Sequence, residues 1–186
     1  MKRIVILASG SGTLAEAIFD AHLDGDIVAV ISDKKDALVL DRAHKAHIET
    51  FTIPMLPDRA EWDRELETLL AALKADLVVS AGFMRILSER ITNRFKIINS
   101  HPALLPLFPG AHAVRDALAA GATETGTTIH WVDAGVDTGQ VIAQERVEIH
   151  AGDTEESLHE RIKIVERGLI VATIAELLPT LEQTNG

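Results

Sequence analysis

The sequence predicts an α/β fold, a mostly parallel twisted sheet of Rossmann-like type with helices on both faces and an antiparallel C-terminal extension. Three observations support this. Short β-branched runs alternate with apolar patterns of helical period. A glycine-rich turn at residues 9–13 follows the first run and precedes a helix. Two later segments alternate apolar and polar residues, as half-exposed strands do.

The first half of the chain alternates strands and helices in order. The predicted strands cover residues 4–7, 27–31, 48–53, 77–81 and 96–99. The predicted helices begin near Leu14 and cover residues 37–46, 58–74 and 88–94. In the third helix, Trp62, Leu66 and Leu69 recur at helical spacing. Because parallel sheets bind ligands at the carboxyl ends of their strands, we expect residues 10–13, 82–85 and 99–101 to converge.

The second half begins with a proline-rich loop at residues 102–109. Residues 127–132 and 141–149 are predicted to be strands that pair in antiparallel orientation. A last helix follows, with Asp153 as its N-cap and Glu156 as the capping-box partner. We expect the antiparallel pair to extend the parallel sheet.

Composition limits the possible functions. The 186 residues fit one domain, predicted at residues 1–182, with a frayed tail at residues 183–186. A formal charge of −10 argues against nucleic-acid or membrane partners. The absence of cysteine and the short apolar run after Arg3, too short for a signal peptide, favour the cytoplasm. Neither a His-x-x-x-His pair nor a carboxylate cluster indicates a metal site.

The glycine-rich turn is compatible with two functions. Backbone N–H groups at a helix start can bind a phosphate. The segment from Gly10 to Ala15 also fits the dinucleotide fingerprint, with Asp33 placed as a ribose ligand would be. An NAD-binding oxidoreductase is therefore an alternative at this point.

Two segments carry residues suited to acyl transfer. Asn99 and His101 lie two positions apart at a predicted strand end, so both can face one side. An amide can stabilise an oxyanion and an imidazole can exchange protons near neutrality. Asp137 can orient His101 or relay a proton, although an Asp near Gly more commonly caps an Asx turn. His130 is predicted to be a buried histidine behind the site.

Four segments together resemble the folate-dependent formyltransferases. They are Ser9-Gly10-Ser11-Gly12-Thr13, Ala81-Gly82-Phe83-Met84-Arg85-Ile86-Leu87, Asn99-Ser100-His101-Pro102-Ala103-Leu104-Leu105-Pro106 and Asp137-Thr138-Gly139. Their order and spacing match across nearly the whole chain. The resemblance implies the formyltransferase fold and transfer of a formyl group from 10-formyltetrahydrofolate to the amine of glycinamide ribonucleotide. It implies no metal, and a monomer or homodimer remains open.

The resemblance also implies site residues. The catalytic residues would be Asn99, His101 and Asp137. The acceptor would contact Gly12, Thr13, Leu14 and Glu166. The folate would contact Arg59, Met84, Arg85, Ile86, Leu87, Asn99, Asp133, Ala134, Gly135, Val136 and Asp137.

The chain departs from the family pattern in two places. The family commonly has Ser-Asn where this chain has Thr13-Leu14, and Gln where it has Lys163. Leu14 lacks the hydrogen-bonding groups of an amide. Lys163 either compensates by meeting the phosphate or indicates another amine acceptor, such as an amino-sugar nucleotide.

Overall fold

The computed structural model of the protein describes residues 1–182. Seven strands form one sheet in the order β3-β2-β1-β4-β5-β6-β7. The strands are β1 (Lys2–Leu7), β2 (Gly25–Ser32), β3 (Thr50–Thr52), β4 (Leu77–Ser80), β5 (Ile97–His101), β6 (Glu124–Trp131) and β7 (Val141–Glu148). The first five are parallel, and β6 and β7 pair in antiparallel orientation beside β5. The predicted fold class is confirmed.

Six α-helices cover the sheet within this described range. They are α1 (Thr13–Phe19), α2 (Leu38–Lys45), α3 (Arg59–Ala72), α4 (Glu89–Arg94), α5 (Ala113–Ala119) and α6 (Glu155–Leu177), and a short 3-10 turn, Leu178–Thr180, follows. None of these helices combines the length and apolar character needed to cross a bilayer.

The helices form two apolar layers, one on each face of the sheet. On one face, Ile4 and Ile6 of β1 share a cluster with residues of α1, α2 and α6. On the other face, Val5 and Leu7 pack with residues of α3 and α4. Alternate residues of β1 therefore point into opposite layers, as the period of a strand requires. Because both faces are covered, β4 is buried along its whole length and β1 is buried at its last four residues.

Two predictions about helices need correction. The sequence pattern indicated no element at α5, which begins at Ala113, shortly after the proline-rich loop. The N-cap of α6 is Thr154, one residue beyond the predicted Asp153. Thr154 and Ser157 form the capping box, so Glu156 does not take part. Asp153 instead pairs with Arg161 at 2.8 Å and accepts the Ser157 hydroxyl. The predicted frayed tail lies outside the described residues.

Candidate active site

The candidate site begins on β5, whose alternation separates its side chains. Asn99 and His101 lie on one face of the strand, and Ser100 lies on the other. The antiparallel register places His130 of β6 directly beside Asn99. Nδ2 of Asn99 lies 3.3 Å from Nε2 of His130. Three polar side chains therefore meet on one face of two adjacent strands.

Asp137 joins this group from the loop between β6 and β7. Its φ of 55° is in the left-handed region, which Asp tolerates better than most residues. Its Oδ2 lies 3.4 Å from Nδ1 of His101, and its Oδ1 lies 3.5 Å from Nε2 of His130. The backbone N–H of Gly110 donates to Oδ2 at 2.8 Å. One carboxylate thus bridges both histidines and the proline-rich loop.

The electrostatics of this group favour an ionised Asp137. The His130 imidazole, whose Nε2 lies 3.5 Å from Oδ1, is the largest cause that lowers the pKa of Asp137 below its usual value. Burial acts in the opposite direction, while the Gly110 N–H and the charge of His101 add to the lowering. Asp137 is therefore an ionised carboxylate at neutral pH.

The proline-rich loop determines how His101 is protonated. Nε2 of His101 lies 2.8 Å from the carbonyl oxygen of Phe108. Since a carbonyl only accepts hydrogen bonds, Nε2 carries a proton. Nδ1, which faces Asp137, is the nitrogen left to exchange a proton. The imidazole therefore both anchors the loop and presents one titratable nitrogen to Asp137.

His130 is as buried as predicted but lies closer to the chemistry than the sequence indicates. Only 2% of the residue is exposed, and its Nδ1 lies 2.9 Å from the carbonyl of Trp131. In the neutral ring, Nε2 accepts a hydrogen bond from Asn99; in the protonated ring, it donates to Asp137. Only the β5–β6 register reveals this contact.

Asp133 takes the role that the sequence statistics favoured for Asp137. Its Oδ1 accepts hydrogen bonds from the Gly135 N–H at 3.0 Å and the Thr138 hydroxyl at 2.6 Å. This Asx turn shapes the loop and leaves Asp137 free to contact the histidines. Residues 133–136 are exposed.

On the opposite face of β5, Glu166 of α6 approaches the same strand. Its carboxyl lies close enough to Ser100, the residue between Asn99 and His101, for that hydroxyl to lower its pKa. Burial raises the pKa of Glu166 above its usual value, although Ser100 and the charges of Lys163 and Arg167 oppose the shift. Lys163 pairs with Glu160 at 2.8 Å. The acidic residue predicted for the acceptor is therefore adjacent to the predicted catalytic strand.

The glycine-rich turn lies at the start of α1. Gly12 has a φ of 77°, and a Cβ there would meet Val39 at 2.5 Å, so glycine is required. Leu14 packs against the core, which leaves its backbone N–H rather than its side chain for a ligand. Arg42 donates to the Ser11 carbonyl at 2.8 Å, a neighbouring positive charge that the sequence analysis did not identify.

The segment from Gly82 to Leu87 forms the loop after β4. Met84 and Ile86 are 68% and 57% exposed, whereas Leu87 is buried in the core. Arg59 donates to the Ile86 carbonyl and lies over the Trp62 ring, 4.8 Å from its centroid. The loop therefore presents two apolar side chains beside an arginine.

Asp33 does not have the geometry of a ribose ligand. Its side chain has no exposed surface and is bonded to Ser9 and Arg85. A nucleotide hydroxyl would have to displace both partners, so the dinucleotide-binding alternative is not favoured. Within residues 1–182, no group of three His, Asp or Glu side chains is arranged to hold a metal ion. A separate surface cavity of about 670 Å³ lies between β3 and α3 and contains none of the predicted site residues.

Comparisons with known proteins agree with this geometry. A family model described as formyl transferase matches residues 2–174. The phosphoribosylglycinamide formyltransferase of Mycobacterium tuberculosis (strain CDC 1551 / Oshkosh) is 48% identical over 183 residues, covering 94% of this chain and 84% of that protein.

Solved structures give the same result. The glycinamide ribonucleotide transformylase 1 of Symbiobacterium toebii superposes with a TM-score of 0.92 at 40% identity, covering 94% of this chain and 86% of that one. The phosphoribosylglycinamide formyltransferase of Bacillus halodurans has a TM-score of 0.91 at 40% identity, covering 95% of both chains. The chain belongs to the formyl transferase family.

Proposed function

We propose that this protein transfers a formyl group from 10-formyltetrahydrofolate to the amine of glycinamide ribonucleotide, a step of purine biosynthesis. The observation that carries the proposal is the cluster of Asn99, His101 and Asp137 on and beside β5. The names of the relatives support this acceptor, because both the M. tuberculosis protein and the solved neighbours are named for it.

The reaction forms a C–N bond between the acceptor amine and the formyl carbon and breaks the C–N bond to the folate. Asn99 donates an amide N–H to the formyl oxygen as negative charge develops there. His101 contributes positive charge when Nδ1 is protonated. Nδ1 is the nitrogen left for this role, because Nε2 is bonded to the Phe108 carbonyl, and it faces Asp137 at 3.4 Å. Asp137 accepts the proton of the attacking amine through water, and this proton passes to the folate nitrogen as its C–N bond breaks, which releases tetrahydrofolate.

The geometry supports these roles in one further respect. The 3.4 Å and 3.5 Å separations around Asp137 are longer than good hydrogen bonds. Catalytic hydrogen bonds are often long without substrate and shorten in the reacting complex. The fixed contact is the one from Gly110, at 2.8 Å, which holds the carboxylate beside both histidines.

The acceptor lies between the glycine-rich turn and α6 in this proposal. Gly12, Thr13 and Leu14 contribute backbone N–H groups to the phosphate, so the leucine side chain is no obstacle. Glu166 accepts hydrogen bonds from the ribose side of the acceptor. Lys163 is close enough to Glu166 for its charge to lower the pKa of that carboxyl, and it would exchange its pair with Glu160 for the phosphate when the acceptor binds.

The folate lies on the other side of Asn99. Met84 and Ile86 make apolar contacts with the folate, and backbone groups around Arg85 and Leu87 form hydrogen bonds with the pterin ring. The main chain of the Asx-turn loop completes that side of the site with Asp133, Ala134, Gly135, Val136 and Asp137. Arg59 provides a positive charge for a folate carboxylate. The donor is a cosubstrate, and the chemistry requires no metal.

We further propose that the protein works in the cytoplasm on small molecules alone, as a monomer or homodimer. Size-exclusion chromatography with light scattering distinguishes the two oligomeric states.

The test is a transfer assay with purified protein, 10-formyltetrahydrofolate or its deaza analogue, and glycinamide ribonucleotide, followed by folate absorbance. Turnover that depends on the acceptor supports the proposal. Deformylation of the folate without an acceptor indicates a hydrolase. If no turnover occurs with glycinamide ribonucleotide, amino-sugar nucleotides are the next acceptors to test. His101→Ala is the inactive variant, and His22→Ala, which changes an exposed histidine, is the matched control.

A further inference from the structure

We propose that Asp33 and Ser9, which are not predicted to touch either substrate, are positioning residues for the formyl donor. They hold the loop after β4, residues 82–87, in the conformation that binds the folate. This inference rests on the proposed function, because it assigns these residues to the donor side of that site.

The network joins the carboxyl ends of three neighbouring parallel strands. Asp33 follows β2, Ser9 follows β1, and the loop follows β4. The Ser9 hydroxyl donates to Oδ1 of Asp33 at 2.6 Å, and Nε of Arg85 donates to Oδ2 at 2.7 Å. The N–H of Met84 donates to the Ser9 hydroxyl oxygen at 2.9 Å. The backbone N–H of Ser9 also donates to the Gly82 carbonyl at 3.1 Å.

The direction of each hydrogen bond follows from the charge of Asp33. An ionised carboxylate only accepts, so Ser9 must give its one hydroxyl proton to Asp33. The Ser9 oxygen is then left as an acceptor, which the Met84 N–H requires. A neutral side chain at position 33 that could itself donate a hydrogen bond would no longer force the Ser9 hydroxyl into this orientation. The charge of Asp33 therefore determines the orientation of a hydroxyl that anchors the loop backbone.

The charge is maintained although the carboxylate has no exposed surface. Burial raises the pKa of Asp33, but hydrogen bonds from Ser9 and Arg85 and the charge of Arg85 outweigh burial, and the net shift is downward. Asp33 is therefore ionised at neutral pH. Because an unpaired buried charge is costly, the pair restrains Arg85 as well.

The restraint matters because the loop exposes apolar side chains. Met84 and Ile86 are mostly exposed. Because apolar side chains stabilise a fold only when they are buried, these two side chains do not hold the loop in place. Three hydrogen bonds hold the loop in place. Ser9 accepts from the Met84 N–H, Asp33 accepts from the Arg85 side chain, and Arg59 donates to the Ile86 carbonyl. An anchored apolar surface is preorganised for a flat ligand, which reduces the ordering cost of binding.

The test compares three variants by steady-state kinetics on both substrates. Ser9→Ala removes the Met84 anchor. Asp33→Asn keeps an oxygen for Ser9 but opposes Arg85 with an amide that carries no charge. Asp153→Asn is the matched control, because it removes another buried carboxylate paired with an arginine, outside this network. Thermal unfolding checks that each variant is folded.

We expect the KM for the formyl donor to rise tenfold or more in Ser9→Ala and Asp33→Asn, on the order of 1.4 kcal/mol. The KM for the acceptor should stay within twofold and kcat within threefold of wild type, and Asp153→Asn should leave the donor KM unchanged. If wild type is active and both folded variants keep the wild-type KM for the donor, the positioning role is wrong and the proposed function still stands. Equal changes in the donor KM, the acceptor KM and kcat would also overturn the positioning role. Wild type without any formyl transfer would overturn the proposed function, and this inference with it.

Discussion

Nδ1 of His101 lies 3.4 Å from Oδ2 of Asp137, while Nε2 of the same ring is 2.8 Å from the Phe108 carbonyl. The loop carbonyl therefore fixes one nitrogen as a donor and leaves the other to Asp137. This division allows one imidazole to serve loop structure and proton transfer together.

The first prediction concerns these two residues. We expect His101→Ala and Asp137→Ala to lower kcat by roughly 100-fold or more, the usual contribution of acid–base catalysis. Circular dichroism and thermal unfolding should show a folded protein in both cases. Turnover close to that of wild type in either folded variant would remove that residue from the catalytic group.

The second prediction concerns Asn99 and His130. Their side chains are 3.3 Å apart, and Nε2 of His130 also lies 3.5 Å from Oδ1 of Asp137. We expect Asn99→Ala to lower kcat roughly 100-fold, as loss of an oxyanion donor does. His130→Phe, which preserves the ring volume, should lower kcat by about tenfold because Asn99 and Asp137 lose a partner.

The double variant measures the coupling between them. Because His130 acts partly through Asn99, the combined loss should be clearly smaller than the product of the two single losses. Multiplicative losses would show that the two residues act independently, contrary to the hydrogen bond between them.

How much of this site could be predicted depended on the range of the interactions. The pairing of Asn99 with His101 follows from the two-residue period of one strand, and the sequence analysis identified it. The contact with His130 depends on the register between β5 and β6, which no local pattern specifies. The same limit applies to Asp133 and Asp137, since either could cap an Asx turn until the loop is folded.

The fold shows the same contrast. Short apolar runs, two alternating segments and helical periods predicted every strand and five of the six helices within the described chain. The missed helix, α5, begins after His112, whose side chain makes no capping hydrogen bond, so no preferred N-cap residue marks its start. The cap of α6 was placed one residue early because Asp153 and Thr154 are both good N-cap residues.

The third prediction concerns the pH dependence of stability at Glu166. Burial raises its pKa in the folded protein above the ordinary value of 4.5. The folded state then binds the proton more tightly than the unfolded state, so stability present below pH 4.5 is lost as the pH rises above it. Glu166→Gln removes this titration and retains a side chain that can bond Ser100.

We expect Glu166→Gln to unfold at a higher temperature than wild type at pH 8, with a smaller difference at pH 5. The KM for the acceptor should rise roughly tenfold, because hydrogen bonds to a charged carboxylate are lost. Glu176→Gln, an exposed site on the same helix, should change neither quantity. An equal stability difference at both pH values would contradict the burial of Glu166.

The last prediction separates two glycines of the same turn. Gly12 has a left-handed φ, and its Cβ would lie 2.5 Å from the Cβ and 2.7 Å from the backbone Cα of Val39. Gly10 has no atom within 4 Å of such a Cβ. We expect Gly12→Ala to lower the free energy of unfolding by about 2 kcal/mol or more, from backbone strain and overpacking. Gly10→Ala should cost less than about 1 kcal/mol.

Urea unfolding of both variants measures the difference in the free energy of unfolding. The KM for the acceptor shows whether the turn still binds its phosphate. Because Val39 meets Gly12 through its Cα and Cβ, Val39→Ala cannot relieve the contact and should not rescue Gly12→Ala. Rescue would mean that the Cγ atoms alone cause the clash. Equal stability of Gly10→Ala and Gly12→Ala would mean that α2 shifts to accommodate the new methyl group. In that case the turn would not be the rigid phosphate site that the proposed acceptor binding requires.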